Sequence, residues 1–368
     1  MKYYLIAGEA SGDMHGANLM KAIQKKDHQA SFRVCGGGKM ENAGGDIFLH
    51  YKDMAFMGFK EVLGNLHKIW KYLESCKKDI LKNSPDVVVL IDYPGFNLRI
   101  AEFAKRKGFK VVWYISPQVW AWKASRVKKL QAYTDKMIVI LPFEKDFYRK
   151  YNMDVHFVGH PLMDVTSYIQ KDENFAERNG LSDKTVALLP GSRKQEISKM
   201  LPVMLQAADT FPGYQFVIAG APSISEEFYQ NILEGHPNTK LLKDDTYQLM
   251  LHSTAAVITS GTATLEAALL DLPQVVGYKS SELSYRLGKM LVNVKYISLV
   301  NLLLDKKAVE ELIQSDFNTT NLTRHLKHLL ESKFYREAIF EDYKKLRQHL
   351  GGSGASEKAA EIITSCKD

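Results

Sequence analysis

The chain reads as an α/β protein built from two Rossmann-like halves facing a central cleft. Three observations carry that reading. Apolar runs without alternation recur along the sequence, as in strands buried on both faces of a parallel sheet. Most lead into a turn of small or polar residues and a stretch with helical three-and-four spacing, the βα repeat of a doubly wound sheet. The alternation stops once, between about Leu162 and Lys184, and then restarts.

The bulk composition narrows the class. A length of 368 residues suits about two cores, and 45% hydrophobic with 25% charged residues is ordinary for a soluble globular chain. No stretch approaches the ~18 apolar residues of a spanning helix. Met1 to Ala7 runs straight into a strand-like segment with no separate apolar h-region or cleavage site, so no targeting peptide is expected. Cys35, Cys76 and Cys366 are widely spaced with no CxxC, which argues against a disulfide framework or a zinc site and fits a reducing cytoplasm. The net charge of +7 is too mild and scattered for nucleic acid, but it suits phosphorylated substrates or an anionic membrane surface.

The first βα unit runs from Tyr3 to Ala7 through the Gly8–Gly16 turn into a helix carrying Ala17, Leu19, Met20 and Ile23. Its glycine spacing is not GxGxxG, so a dinucleotide site is poorly supported. Glu9 and Asp13 suit sugar hydroxyls better than an anionic group. Phe32–Cys35 reads as the second strand. Met54 to Leu73 then forms an amphipathic stretch, with Phe59, Val62, Leu63, Leu66, Ile69, Trp70 and Leu73 at helical spacing among lysines. It is either a core-facing helix or a basic, aromatic surface for acyl chains or a membrane, with Phe56, Met57 and Phe59 the residues that would carry the latter.

Val87–Ile91 is a fully apolar strand that ends abruptly at Asp92. Ligands of open α/β sheets bind at that edge, so Asp92 is either a catalytic carboxylate or a cap for the Tyr-Pro-Gly turn and following helix. Leu98–Lys107 is the next helix and Lys110–Pro117 the next strand. The segment Gln118–Lys123 sets Trp120 and Trp122 ahead of a basic helix with Arg126, Lys128 and Lys129. Lys136–Glu144 supplies another strand and Val155–Pro161 a last short one, completing the first half.

In the second half Thr185–Leu189 leads through Pro190-Gly191-Ser192-Arg193 into a helix. An arginine beside free amides at a helix start suits a diphosphate; the alternative is a pair with Glu196. Tyr214–Gly220 and Ala255–Thr259 are further strands. The latter meets Ser260-Gly261-Thr262, a phosphate-holding turn, and Glu266 one helical turn on, either a partner for a ribose diol or a plain first-turn acid. Gln274–Tyr278 is another strand. Asn301 lies in an apolar run, where its amide needs a ligand or backbone partner. A carboxylate at the first sheet's edge with groups for phosphate and ribose from the second suits transfer from a nucleotide-activated sugar. The expected divisions are therefore 1–165 for the acceptor, 166–345 for the donor, and a helical segment 346–368 that returns to the first domain or exchanges with a second subunit.

Several of these segments together resemble the lipid-A-disaccharide synthase family. They are Gly8-Glu9-Ala10-Ser11-Gly12-Asp13, Pro85 to Asn97, Ser116–Trp122, Leu141-Pro142-Phe143-Glu144, Leu189–Arg193, Ser260–Ala263 and Ser298–Leu303, in the family's order across nearly the whole chain. Ala10 and Gly95 depart from common family residues without removing a proposed catalytic group. The resemblance implies the glycosyltransferase B fold and an inverting hexosyltransferase of lipid A and lipopolysaccharide biosynthesis. That enzyme joins UDP-2,3-diacylglucosamine to 2,3-diacylglucosamine 1-phosphate, releases UDP and forms a β-1,6 link. It implies Asp92 as general base, with Glu9, Ser11 and Asp13 near the reaction centre; alternatively Asp92 orients the acceptor and Glu9 or Asp13 is the base. Arg193 would serve the UDP phosphates and Asn301 the UDP portion, with Ser260, Gly261, Thr262 and Glu266 carried over more loosely from B-fold transferases. No Asp-x-Asp motif is well placed, so neither metal nor cofactor is expected. The protein is expected in the cytoplasm, peripheral to the inner membrane, as monomer or homodimer. The competing readings are a UDP-N-acetylglucosamine 2-epimerase, a transferase with a soluble acceptor, or a non-catalytic nucleotide-sugar sensor.

Overall fold

The computed structural model describes all residues except 55–65, 123, 237, 282–284, 286–288, 290–293 and 368. The chain forms two compact units. The first comprises Met1–Asp164 together with Leu350–Asp368, and the second Val165–His349.

The first unit holds a seven-stranded parallel sheet: β1 (Lys2–Ala7), β2 (Ser31–Gly36), β3 (Gly45–His50), β4 (Val87–Ile91), β5 (Lys110–Tyr114), β6 (Lys136–Val139) and β7 (His156–Phe157). Their order is β3-β2-β1-β4-β5-β6-β7, so the winding reverses between β1 and β4. All five residues of β4 are buried, as its unbroken apolar run demands. Against this sheet the Leu66–Asn83 helix buries Leu73, Cys76 and Ile80, a three-and-four stripe. Trp70 from the expected apolar face is instead 62% exposed.

The second unit holds six parallel strands: β8 (Thr185–Leu189), β9 (Gln215–Gly220), β10 (Thr239–Lys243), β11 (Ala255–Thr259), β12 (Gln274–Tyr278) and β13 (Glu310–Ile313). Their order is β10-β9-β8-β11-β12-β13, with the reversal between β8 and β11. Sequence patterning misses β3, β10 and β13. Each is a sheet-edge strand of mixed polarity and partial exposure, without the apolar run that marks its central neighbours.

The C-terminal helix, Ala355–Thr364, packs on the Ala10–Lys26 helix through Ala355, Ala359, Ala360 and Ile363, all buried. Its start is fixed by Asp164, whose carboxylate accepts the N–H groups of Gly354, Ala355 and Ser356 at 2.5, 3.2 and 2.8 Å. Negative charge there also satisfies the positive end of the helix dipole.

Candidate active site

Parallel register sets Ala7 opposite Ile91, so the Gly8–Asp13 turn and the Asp92–Gly95 turn leave the sheet side by side at its winding reversal. That is where open α/β sheets bind ligands. Asp92 and Tyr93 both occupy the left-handed region, at φ +44° and +49°, a conformation that costs roughly 1–3 kcal/mol for such residues. The surroundings hold it in place. Asp92 N–H donates to Tyr114 O at 3.1 Å. The fully buried Asn97 directs its Nδ2 at the carbonyls of Asp92, Ile91 and Ile6, at 2.8, 3.3 and 3.4 Å. The Tyr93 ring lies over Gly8, where a Cβ would meet it at 2.3 Å, so only glycine fits there.

Asp92 stays open to solvent, yet the surrounding protein removes enough water from its carboxylate to raise its pKa to about 7. The negative charge of Glu9 adds to the rise, and the Tyr93 N–H opposes it. Glu9 is half-buried at the N-cap of the Ala10–Lys26 helix, and Ser11 is exposed on its first turn. Asp13 has a different place. It is 3% exposed, and its oxygens accept the N–H groups of Gly37, Lys39 and Met40 at 2.7, 3.1 and 3.1 Å. A carboxylate so engaged anchors the loop after β2 and is poorly placed to take a substrate proton.

In the second unit the Pro190–Arg193 turn and the Ser260–Thr262 turn leave β8 and β11, again at the reversal. Arg193 is exposed at the N-cap of the Lys194–Ala208 helix, with Nη1 3.3 Å from Glu196 Oε1. Glu196 also accepts the Ser192 N–H, at 3.3 Å. Gly261 and Thr262 are exposed, while Ser260 Oγ donates to Ile297 O at 2.8 Å. Glu266 accepts a hydrogen bond from Tyr247 Oη at 3.0 Å. Asn301 is turned inward. Its Nδ2 donates to Val309 O and Glu311 Oε1, and its Oδ1 accepts the N–H groups of Ala308 and Val309, all at 2.8–2.9 Å. That fills its hydrogen-bonding capacity, so the side chain builds a loop and is not free for a nucleotide.

Phe56, Met57 and Phe59 lie outside the described residues. Among the described residues no group of three or more His, Cys, Asp or Glu side chains is arranged to hold a metal ion. No helix among them is long and apolar enough to cross a membrane.

The sequence profile of the lipid-A-disaccharide synthetase family matches residues 3–365. The chain belongs to this family. A lipid-A-disaccharide synthase from Syntrophus aciditrophicus is 42% identical over 97% of this chain and 95% of its own length. Another from Trichlorobacter lovleyi is 40% identical over 98% and 96%. Among solved structures, the UDP-GlcNAc 2-epimerase from Neisseria meningitidis bound to UDP-GlcNAc aligns with a TM-score of 0.71 at 15% identity, covering 99% of this chain and 100% of its own. The calicheamicin glycosyltransferase CalG4 aligns at 0.61 and 14% identity, covering 99% and 98%. These likenesses share the glycosyltransferase B fold and say nothing more. The epimerase reading therefore has fold alone behind it, against family membership for the synthase.

Within this family frame, three residues went unnoticed as site-builders in the sequence. Asn97 offered one signal, a polar residue where the new helix turns into the core. Tyr247 offered none. Glu311, which accepts Ile297 N–H, Ser298 N–H and Oγ–H, and Asn301 Nδ2–H, is hidden in an edge strand.

Proposed function

We propose that this lipid-A-disaccharide synthase family member joins UDP-2,3-diacylglucosamine to 2,3-diacylglucosamine 1-phosphate with inversion, and that Asp92 is its general base. The observation that carries the reaction is the family match over residues 3–365. The position of Asp92 at the first sheet's reversal supports its role.

Asp92 takes the proton of the acceptor's 6-hydroxyl as that oxygen forms a bond to C1 of the donor. The C1–diphosphate bond breaks with its electron pair leaving on UDP, and the β link results. A pKa near 7 matches this task, since about half of the carboxylate is ionised at neutral pH and that form is basic enough to accept the proton. Glu9 raises that basicity through its charge and, with Ser11, borders the acceptor sugar. Asp13 holds the floor of the same turn.

Donor binding falls to the second unit. Arg193 and the amides opening the Lys194–Ala208 helix neutralise the leaving diphosphate, joined by Ser260, Gly261 and Thr262. Glu266, oriented by Tyr247, accepts the ribose hydroxyls. Asn301 acts by shaping the loop it is bonded into. Charge neutralisation by these groups makes the reaction metal-independent.

Membrane association is peripheral, on the cytoplasmic face of the inner membrane. The segment with Phe56, Met57 and Phe59, followed by exposed Trp70 among Lys68, Lys71 and Lys77, supports that reading. Binding to anionic vesicles at low salt tests it, and a protein that stays wholly in the supernatant contradicts it. The reaction is tested by UDP release from both acylated substrates in excess chelator, beside Asp92→Ala. Release by the parent alone supports the reaction and metal independence and makes Asp92 essential, while the pH profile bears on its role as base. UDP binding without release, even with divalent metal restored, overturns the reaction.

A further inference from the structure

We propose that Arg99 and Arg126 form the subsite that holds the phosphate monoester of the acceptor sugar, a role that rests on the phosphorylated-acceptor reading above. Arg99 lies on the Pro94–Arg106 helix, which begins two residues after Asp92. Its guanidinium reaches back one turn, Nη1 donating to Gly95 O, and so sits level with the turn that carries Asp92. Arg126 ends the short Ala124–Arg126 helix and is the N-cap of the Val127–Tyr133 helix, just beyond the loop that leaves β5. β5 is the strand next to β4, and the Val127–Tyr133 and Pro94–Arg106 helices pack together.

Two cations thus converge at the carboxyl ends of β4 and β5. Partial burial and the charge of Arg99 both pull the Arg126 guanidinium below its ordinary pKa, so the two are close enough to repel. An anion lying between them reverses the sign of that interaction. A phosphate monoester is the natural guest, because planar guanidinium forks match its oxygens in pairs.

The proposed acceptor fits this placement. Its 6-hydroxyl must face Asp92, while its phosphate is carried on C1, across the ring oxygen from the carbon that bears C6. Neighbouring strands stand ~4.8 Å apart, so a sugar laid across the ends of β4 and β5 offers these two groups, projecting from either side of its ring oxygen, to two different loops. The pair would therefore select phosphorylated acceptors and orient the hydroxyl toward the base.

The test compares kcat/KM for the phosphorylated acceptor with that for 2,3-diacylglucosamine lacking the phosphate, in the parent, Arg99→Ala, Arg126→Ala and Arg126→Lys. The ratio should fall about 10- to 100-fold in each alanine variant, as for a lost charge-assisted hydrogen bond, with the change in KM, and Arg126→Lys should recover it in part. Rates that drop by one common factor on both acceptors, or an unchanged ratio, would overturn the subsite. Calorimetric titration of the phosphorylated acceptor into the parent and the Arg99→Ala/Arg126→Ala double variant decides the matter apart from turnover. Binding weakened in the variant supports the subsite; equal binding rejects it. A parent that binds this acceptor and UDP yet releases none indicts the reaction, not the subsite.

Discussion

Asp92 is set apart by three local causes acting together: a crowded setting, a neighbouring Glu9 and a left-handed backbone fixed by Asn97. Each has a measurable consequence. In the proposed role of base it must be ionised, so kcat/KM should climb about tenfold per pH unit below about 7 and level off above. Glu9→Gln removes the negative charge that raises this pKa, and the rising limb should move to lower pH; an unmoved limb would mean that another group governs it. Asn97→Ala should remove the donor closest to Asp92 O, loosen the turn and lower kcat by about 10- to 100-fold, the scale on which misplaced catalytic groups lose rate. Asp92 could be named as a candidate from the sequence because an acid ending an apolar strand is conspicuous. The sequence could not disclose that Asp13 and Asn301 turn inward, since a polar side chain reads the same whether backbone or ligand satisfies it.

At the scale of elements, the central strands were legible because burial on both faces forces unbroken apolar runs, as in β1, β4, β8 and β11. Edge strands β3, β10 and β13 escape the same test because one side meets solvent and their composition relaxes. The helix after Asp92 begins at Pro94 and not at Leu98, since proline is at home in a first helical turn. The C-terminal helix is tied down at one end by Asp164, beside His15 and His160, both buried and held neutral with pKa values near 4 and 3. Asp164→Ala should speed hydrogen exchange across residues 355–364 and cost ~1–2 kcal/mol, the usual scale for a lost helix cap. The histidines set the acid side. Unfolded, they take up protons below about 6.5, while the folded chain resists until about 4 and 3, so stability should be complete above 6.5 and decline as pH falls. Melting temperatures from pH 8 to 4 check this, and a profile flat across that range would contradict it.

At the scale of the whole molecule, repetition of one winding pattern was the most readable property of the chain, and the pause near Leu162–Lys184 falls where the structure passes from one unit to the next. What no local pattern decided was whether the C-terminal segment returns to the first unit, as residues 350–368 do, or exchanges with a second subunit, because a short alanine-rich helix packs equally well on many surfaces. The separation of the two reversals makes separable lesions. Arg193→Ala should weaken UDP binding about 10- to 100-fold, the scale of a lost charged contact. Asp92→Ala should leave UDP affinity as it was and abolish turnover. Titration calorimetry with UDP alone distinguishes them, and equal loss of affinity in both variants would contradict the assignment of donor and acceptor to different units.

The return of residues 350–368 also orders the protein's biosynthesis. Because the first unit includes both the opening and the closing segments of the chain, the ribosome finishes the second unit before the first can be completed. Until then the surface of the Ala10–Lys26 helix that receives Ala355, Ala359 and Ile363 stays uncovered on the nascent chain. A transcript cut short just before Leu350 would thus yield a finished second unit joined to an unfinished first, a species suited to capture by chaperones.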